Sequence, residues 1–213
     1  MHSVYDSIIL RDVVKRLNLK DTHLFDIILQ YLLETSGREF SAENLIKYLS
    51  HENKKISNET LYNYINALCK ALIMKRVYRY DIAGKNVLKT LNKYYATDLG
   101  IAQIKNNNPE FKSYIVLENI VYNELINRDY EVYIGKTKSG EIDFIAKKDG
   151  TIKYIQVTYE MNGNENAIKR EFEALEKLED NYPKYVISLD KIDLSRNGIV
   201  HLNLIDFLLK DSF

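Results

Sequence analysis

Two neighbouring runs with strand-like alternation hold the residues best suited to chemistry. Glu141-Ile142-Asp143-Phe144 opens the first, and Tyr154-Ile155-Gln156-Val157-Thr158 closes the second. A helix-like run bearing Glu118 precedes both. A helix acid, a strand acid and a second strand with two polar residues on one face could hold Mg²⁺ for phosphodiester hydrolysis. Gln156 and Thr158 stand at i and i+2, so they share a face. An active site would place an acid at the first of these positions and a Lys at the second. Gln156 offers a neutral carbonyl oxygen, and Thr158 supplies no cation. Asp143 is the expected metal ligand, and Glu118 adds a helix carboxylate. The missing cation removes the main stabiliser of phosphate charge, so the expected catalytic set of Glu118, Asp143, Gln156 and Thr158 reads as degenerate. A displaced cation would reverse that reading. Lys136 and Lys138 before the first strand, and Lys169 and Arg170 in the following helix-like run, are the candidates.

The elements that position these residues follow from hydrophobic periodicity. A helix is expected over about 112–128, strands over 131–135, 141–147 and 151–159, and a long helix over 164–178. Strands over 184–189 and 199–202 and a short helix over 206–210 complete the order α-β-β-β-α-β-β-α. That order is a mixed sheet flanked by helices. With its acids in these places, it resembles a restriction-endonuclease-like fold of the PD-(D/E)xK type.

The preceding half reads differently. Helices are expected over 4–18, over 24–35 behind an Asp21-Thr22 cap, from Ser41 onward, and over 58–72 behind a Ser57 cap. Two strands follow, over 73–80 and 87–95, joined by a turn at Asp81-Ile82-Ala83-Gly84-Lys85. Helices followed by a hairpin make a winged helix-turn-helix, with the helix after Ser57 as recognition helix. Asn58, Thr60, Asn63, Tyr64 and Asn66 are expected to face outward from it, and Lys75, Arg76, Arg79 and Lys85 to line the wing. In a DNA complex Asn58, Thr60 and Asn63 would face bases, and the four cations would hold phosphates. A domain over residues 1–98 and a second over 99–213 are expected. Asn106-Asn107-Asn108-Pro109 is the best linker signal.

Composition narrows the class. The chain has 213 residues, 30 basic and 30 acidic, and an ordinary apolar fraction of 46%. Its charge is uneven: residues 51–95 hold nine basic against three acidic residues, a surplus suited to phosphate or to a solvated face. Cys69 is the lone cysteine, which excludes an intrachain disulfide and a cysteine zinc site and suits a reducing cytoplasm. No apolar run approaches a membrane span. Gly135-Lys136-Thr137 resembles the end of a phosphate-binding loop, but Tyr130 stands where that loop needs glycine. His2, His23, His51 and His201 are scattered without metal-like spacing.

Several passages, taken in order, resemble a large prokaryotic family of AAA-type ATPases. Residues 3–14 (Ser3-Val4-Tyr5-Asp6 to Val13-Val14) resemble the segment after the ATPase core. Residues 76–85 are similar to the family's hairpin. Lys93-Tyr94-Tyr95-Ala96-Thr97-Asp98-Leu99-Gly100 resembles the passage opening its C-terminal domain of unknown function. Leu117-Glu118-Asn119-Ile120-Val121-Tyr122-Asn123-Glu124-Leu125, Glu141-Ile142-Asp143-Phe144 and Ile155-Gln156-Val157-Thr158 match later motifs. The resemblance implies a cytoplasmic ATPase whose Walker motifs would lie before residue 1, so the chain is expected to be its C-terminal part. It also implies that Gln156 and Thr158 are habitual, and the nuclease-like fold kept for binding. Three functions stay open: a non-catalytic module binding nucleic acid or protein, a Mg²⁺-dependent nuclease with a migrated Lys, and a protein-interaction platform. The first and third need no cofactor. DNA and the missing ATPase core are the expected partners, no membrane is involved, and a homo-oligomer is compatible.

Overall fold

The computed structural model describes residues 21–51, 54–105, 113–138 and 140–213. The helix expected over 4–18 and the linker at 106–109 lie outside them. The described chain divides by internal contacts into two units: residues 21–76 with 93–105, and 77–92 with 113–213.

The first unit is built on three capped helices. Asp21 caps α1 (Thr22–Glu34), its carboxylate accepting the Leu24 N–H at 2.9 Å. That bond, followed by the Lys54 ammonium, holds the Asp21 carboxyl below its usual range. Ser41 caps α2 (Ala42–His51) through the Asn44 N–H, and Ser57 caps α3 (Asn58–Lys70) through the Thr60 N–H. These side chains satisfy amide groups that a helix start leaves without partners. Apolar residues at helical spacing then bury Phe25, Ile28, Leu29 and Leu32 of α1 against Leu45 and Leu49 of α2 and Leu61, Ile65 and Leu68 of α3. Two positions on α3 depart from expectation. Tyr64 is buried, its ring near Phe25 and its hydroxyl accepting the Asp21 N–H. Leu72, expected as the last residue of the helix, lies beyond it with φ 56 and is 60% exposed. The chain reverses there, and Ile73 and Met74 enter the core instead.

Strands β1 (Met74–Asp81) and β2 (Asn86–Ala96) form the expected hairpin. Its residues 74–76 and 93–96 belong to the first unit. At the expected boundary between residues 98 and 99 a further helix starts, α4 (Leu99–Lys105). Asp98 Oδ1 accepts the Gly100 N–H at 2.7 Å at that start.

The second unit follows the expected order. It comprises α5 (Ser113–Asn127), β3 (Glu131–Lys136), β4 (Glu141–Lys148), β5 (Thr151–Val157), α6 (Glu165–Glu176), β6 (Lys184–Ser188), β7 (Ile199–Asn203) and α7 (Leu204–Leu209). The strands lie in a seven-stranded mixed sheet of order β2-β1-β3-β4-β5-β6-β7. The β3-β4-β5 pairs are antiparallel, whereas β1 with β3 and the β5-β6-β7 pairs are parallel. Helix α5 packs on β3, β4 and β5, and α6 on β4 through β7. Beneath α6, Ile168, Phe172 and Leu175 bury against Ile142, Ile145, Tyr154, Val186 and Ile199. Asp149 and Gly150, with φ 50 and 76, make the tight β4–β5 turn, whose backbone suits a two-residue hairpin loop. Among the described residues no helix is long and apolar enough to cross a membrane.

One irregularity shapes the middle of the sheet. Tyr133 pairs with Ile145 but Gly135 pairs with Ile142, so Ile134 faces both Asp143 and Phe144. This is a β-bulge, which re-aims side chains by one residue. It explains why Ile142 and Ile145, three apart, share one core cluster. Gly135 sits against the bulge: a Cβ there would meet the Ile142 Cβ at 2.9 Å and the Ile145 Cγ1 at 3.1 Å. Gly135→Ala should therefore cost about 1–3 kcal/mol, the scale of overpacking. Urea unfolding checks this, and an unchanged midpoint would show that the bulge relaxes freely.

Candidate functional site

Asp143 and Gln156 come together at the bulge. The β4–β5 pairing runs from Phe144 opposite Ile155 to the turn. Beyond it, Asp143 Oδ2 accepts the backbone N–H of Val157 at 2.8 Å, and Gln156 Oε1 accepts the backbone N–H of Asp143 at 3.4 Å. The next amide, Thr158 N–H, turns the other way and donates to Ile187 O at 3.0 Å. The side chains of Asp143 and Gln156 thus stand in for backbone acceptors where β4 separates from β5. Gln156 pairs with Val186 in parallel register, so it shares the sheet face beneath α6.

Glu118 lies half-buried on α5. It precedes Tyr122 by one helical turn and shares its face. The Tyr122 ring lies 6.0 Å from that of Phe144. Helix α5 runs toward the sheet end where Glu131 meets Lys147. One turn back is about 6 Å of rise, or about two strand residues, which sets Glu118 toward the Glu141 end of β4. Thr158 follows β5, half-buried. Among the cations considered as replacements for a catalytic Lys, Lys136, Lys138 and Lys169 are exposed. Arg170 is 74% exposed and paired with Glu171 at 2.7 Å. Among the described residues no cluster of three or more His, Cys, Asp and Glu could hold a metal ion.

The residues read as a nucleic-acid kit are in mixed states. Asn58 and Asn63 are exposed on α3. Thr60 is half-buried, and its hydroxyl meets the Ser57 cap at 3.0 Å. Lys75 is half-buried at the start of β1, and Lys85 is exposed in the hairpin turn with φ 52. The two arginines are held within the fold. Arg76 donates to Asn66 Oδ1 at 2.7 Å and to the Tyr94 hydroxyl at 3.0 Å. Burial raises the Tyr94 hydroxyl to about 12 despite that guanidinium. Arg79, its side chain 12% exposed, pairs with Glu141 at 3.1 Å.

A polar network that sequence reading missed anchors the loop after β5. Leu194 N–H donates to His201 Nδ1 at 3.4 Å, which leaves the proton on Nε2, 2.9 Å from Ser188 Oγ. Ser188 donates to Asp190 Oδ2 at 2.7 Å. The Asp190 oxygens accept the backbone N–H groups of Met161 and Asn162, each at 2.8 Å. The serine lies between its partners with its hydrogen spent on Asp190, so the trio is a brace, unlike a nucleophile-base-acid relay. Its sequence signal was a polar Ser188 and His201 inside apolar strands. Burial pushes the Asp190 carboxyl up, but the Met161, Ser188 and Asn162 hydrogen bonds outweigh burial and hold it below the usual range. Burial pushes the His201 imidazole below 6.5, against the carboxylates of Asp190 and Asp193.

Residues 1–110 match the family model of a domain of unknown function, DUF8612, and residues 115–207 match a second, DUF4143. An uncharacterized protein of Haemophilus influenzae is 33% identical over 211 residues, covering 99% of this chain and 52% of that protein. An uncharacterized protein of Methanocaldococcus jannaschii is 29% identical over 176 residues, covering 81% of this chain and 38% of that protein. The chain therefore spans about half, or less, of the length of these curated relatives. No solved structure matches.

Two outcomes follow from the geometry. Asp143→Ala leaves the Val157 amide without its carboxylate acceptor and should cost about 1–3 kcal/mol, read from denaturant midpoints; no loss would mean that water replaces the clasp. The second concerns pH. The unfolded chain takes up a proton near 6.5 that folded His201 resists, so this contribution is whole above that value and is lost as pH falls through it. The depressed Asp190 loses its own share only at lower pH, below the carboxylate range. Melting temperature should drop between pH 7.5 and 5.5, and His201→Gln should flatten that drop; an equal slope in the variant would exclude His201 as its source.

Proposed function

The chain belongs to the family defined by the domain of unknown function DUF8612, and we propose that it is a recognition module and not a catalyst. The first unit is read as a winged-helix-like domain that binds duplex DNA, and the second as a degenerate, restriction-endonuclease-like domain. Both are read as the C-terminal part of a longer AAA-type ATPase, in line with the family resemblance and the greater length of the relatives. The observation that carries the reading is the Asp143–Gln156 clasp. A hydrolytic site needs its strand carboxylate free for a hard cation and a basic side chain beside the phosphate. Here an Asp143 oxygen serves the Val157 amide, the Gln156 carbonyl faces the Asp143 amide, and Thr158 stands in the cation's place. This reading assigns no Mg²⁺ chemistry to these residues.

Support for DNA comes from the first unit. Asn58 and Asn63 are exposed near the start of α3, and Lys55 and Lys70 are exposed on the same unit. Such amides read base edges, and such ammonium groups hold phosphates. A second reading has its own observation. Ile205 and Leu209, one turn apart on α7, are 54% and 78% exposed, and Val200 on the last strand is 43% exposed. An apolar group of this kind suits a protein partner.

One gel decides between them: labelled duplex and single-stranded DNA at low and moderate salt, with and without Mn²⁺, scored for both binding and cleavage. Salt-sensitive duplex binding without cleavage is expected. Lys70→Ala should shallow the salt slope by about one, and Asn63→Ala should weaken preferred sequences more than random ones. Cleavage abolished in Asp143→Ala would overturn the non-catalytic reading. Absence of binding at every salt concentration would give the protein-partner reading precedence.

A further inference from the structure

The outer face of α3 is set by what its inner face buries. Leu61, Ile65 and Leu68 enter the core of the first unit. Glu59, Tyr62, Asn63, Asn66 and Lys70 are left exposed at helical spacing. Asn63 and Asn66 are neighbours on that face. Three residues of helix rise about 4.5 Å, close to the roughly 3.4 Å between successive bases of a strand, so two amides at this spacing can reach adjacent base pairs. Glu59 lies one turn before Asn63, an acid that disfavours phosphate at that end. Lys70 lies one turn after Asn66, a cation that suits phosphate.

The two amides are not equivalent. Arg76 Nη2 donates to Asn66 Oδ1 at 2.7 Å. A guanidinium only donates, so the atom of Asn66 that faces it is the oxygen, and the Nδ2 donors point away from it. Arg76 is itself held from behind. Its Nε donates to the Tyr94 hydroxyl at 3.0 Å, and its guanidinium carbon lies 5.5 Å from the Tyr94 ring centre. Tyr94 is 2% exposed. The clamp therefore runs from a core side chain, through the guanidinium, to a surface amide. Asn63 is exposed and carries no such clamp among the described residues.

This difference has a consequence in a major groove. Adenine presents an acceptor at N7 and a donor at N6, and an asparagine reads it with its oxygen and its amide group together. Guanine presents two acceptors, N7 and O6, while cytosine presents only a donor. An asparagine whose oxygen is committed to a cation has donors to give. An adenine N6 group arriving at the same oxygen would meet the positive guanidinium.

We infer that Arg76 is a positioning residue that makes Asn66 a donor-only base reader, so that α3 selects guanine at the base pair under Asn66 and adenine at the adjacent pair under Asn63. The inference rests on the reading of the first unit as a duplex-DNA binder. Arg76 acts through Asn66 and makes no phosphate contact, so its removal changes sequence preference and leaves the salt slope as it was.

The test is selection from a duplex library with a randomised centre by the 213-residue chain, followed by anisotropy titration of the selected duplex and its single-base-pair variants. The parent chain should enrich an adenine beside a guanine, with guanine favoured over adenine at the second position by about tenfold. Asn66→Ala should erase the preference at that position alone, which identifies it. Arg76→Ala should let the released amide accept adenine and abolish the guanine preference, with unchanged affinity for random duplex. In the Asn66→Ala background Arg76→Ala should alter preference no further. Melting temperatures establish that the variants fold, and Asn66→Asp, isosteric and exposed, gives an independent reading: with no donors left, it should lose guanine. A guanine preference that survives Arg76→Ala or Asn66→Asp would overturn the inference and leave duplex binding standing. So would a selected site whose preferences are untouched by Asn66→Ala. Weaker binding of every duplex by Arg76→Ala, with a shallower salt slope, would make Arg76 a phosphate contact and overturn it too. No duplex binding at any salt concentration would overturn both the inference and the DNA reading beneath it.

Discussion

The second unit depends on how β4 leaves β5 without stranding a backbone group. Buried amides must find acceptors, and past Phe144 the ladder between these strands ends. The Asp143 carboxylate fills the gap for Val157, and the Gln156 amide fills it for Asp143. This lets β5 continue in parallel with β6 up to Val157 opposite Ile187. The bulge opposite Ile134 is part of the same arrangement, since it sets the residue that turns toward β5. The identity of Gln156 matters for charge. A Glu there would set two carboxylates beside each other, a pair that stays ionised only with a cation between them. A neutral amide supplies the same oxygen acceptor with no such demand. The feature that makes the site look like a damaged metal centre is thus also the feature that makes the clasp stable alone.

A similar logic applies to the hairpin cations. A basic surplus over residues 51–95 read naturally as a phosphate-binding surface. Arg76 instead joins α3 to β2 through Asn66 and Tyr94, and Arg79 joins β1 to β4 through Glu141. Guanidinium groups, planar and weakly hydrated, are suited to such half-buried pairing, while ammonium groups stay at the surface. The exposed Lys55, Lys70, Lys85 and Lys89 carry the part of the surplus that solvent, or a phosphate, can reach.

How much was legible in the sequence depended on whether the cause was local. Asp21, Ser41 and Ser57 announce helix starts because a cap acts within three residues. The α-β-β-β-α-β-β-α order was legible because a short apolar run such as Ile142–Ala146 reads as a buried strand and the 3.6 period of Ile168–Leu175 as a helix. Tyr64 and Leu72 were misread because their neighbours decide them: Tyr64 faces Phe25, 39 positions away, and Leu72 sits where the chain reverses. The α4 helix was hidden behind Asp98 and Gly100, which resemble a turn until the chain continues. The adjacency of Asp143 and Gln156 was legible from two strands in order, but their hydrogen bonds were not, because a bulge leaves no signature in alternation.

The two ends of this sheet differ in how their polar groups are balanced. At the Asp143 end, carboxylates meet backbone amides. Asp143 takes Val157, and Asp190 takes Met161 and Asn162, with Ser188 and His201 completing the brace. Each oxygen named there is spent on positioning the strand end or the loop that follows β5. A strand end and loop gripped by three such bonds at 2.8 Å are poorly suited to the rearrangement that a closing active site requires. At the Lys148 end, cations meet oxygens of the chain: Arg128 takes Glu124 and Phe207 O, Lys148 takes Arg128 O, and Lys153 takes Phe213 O.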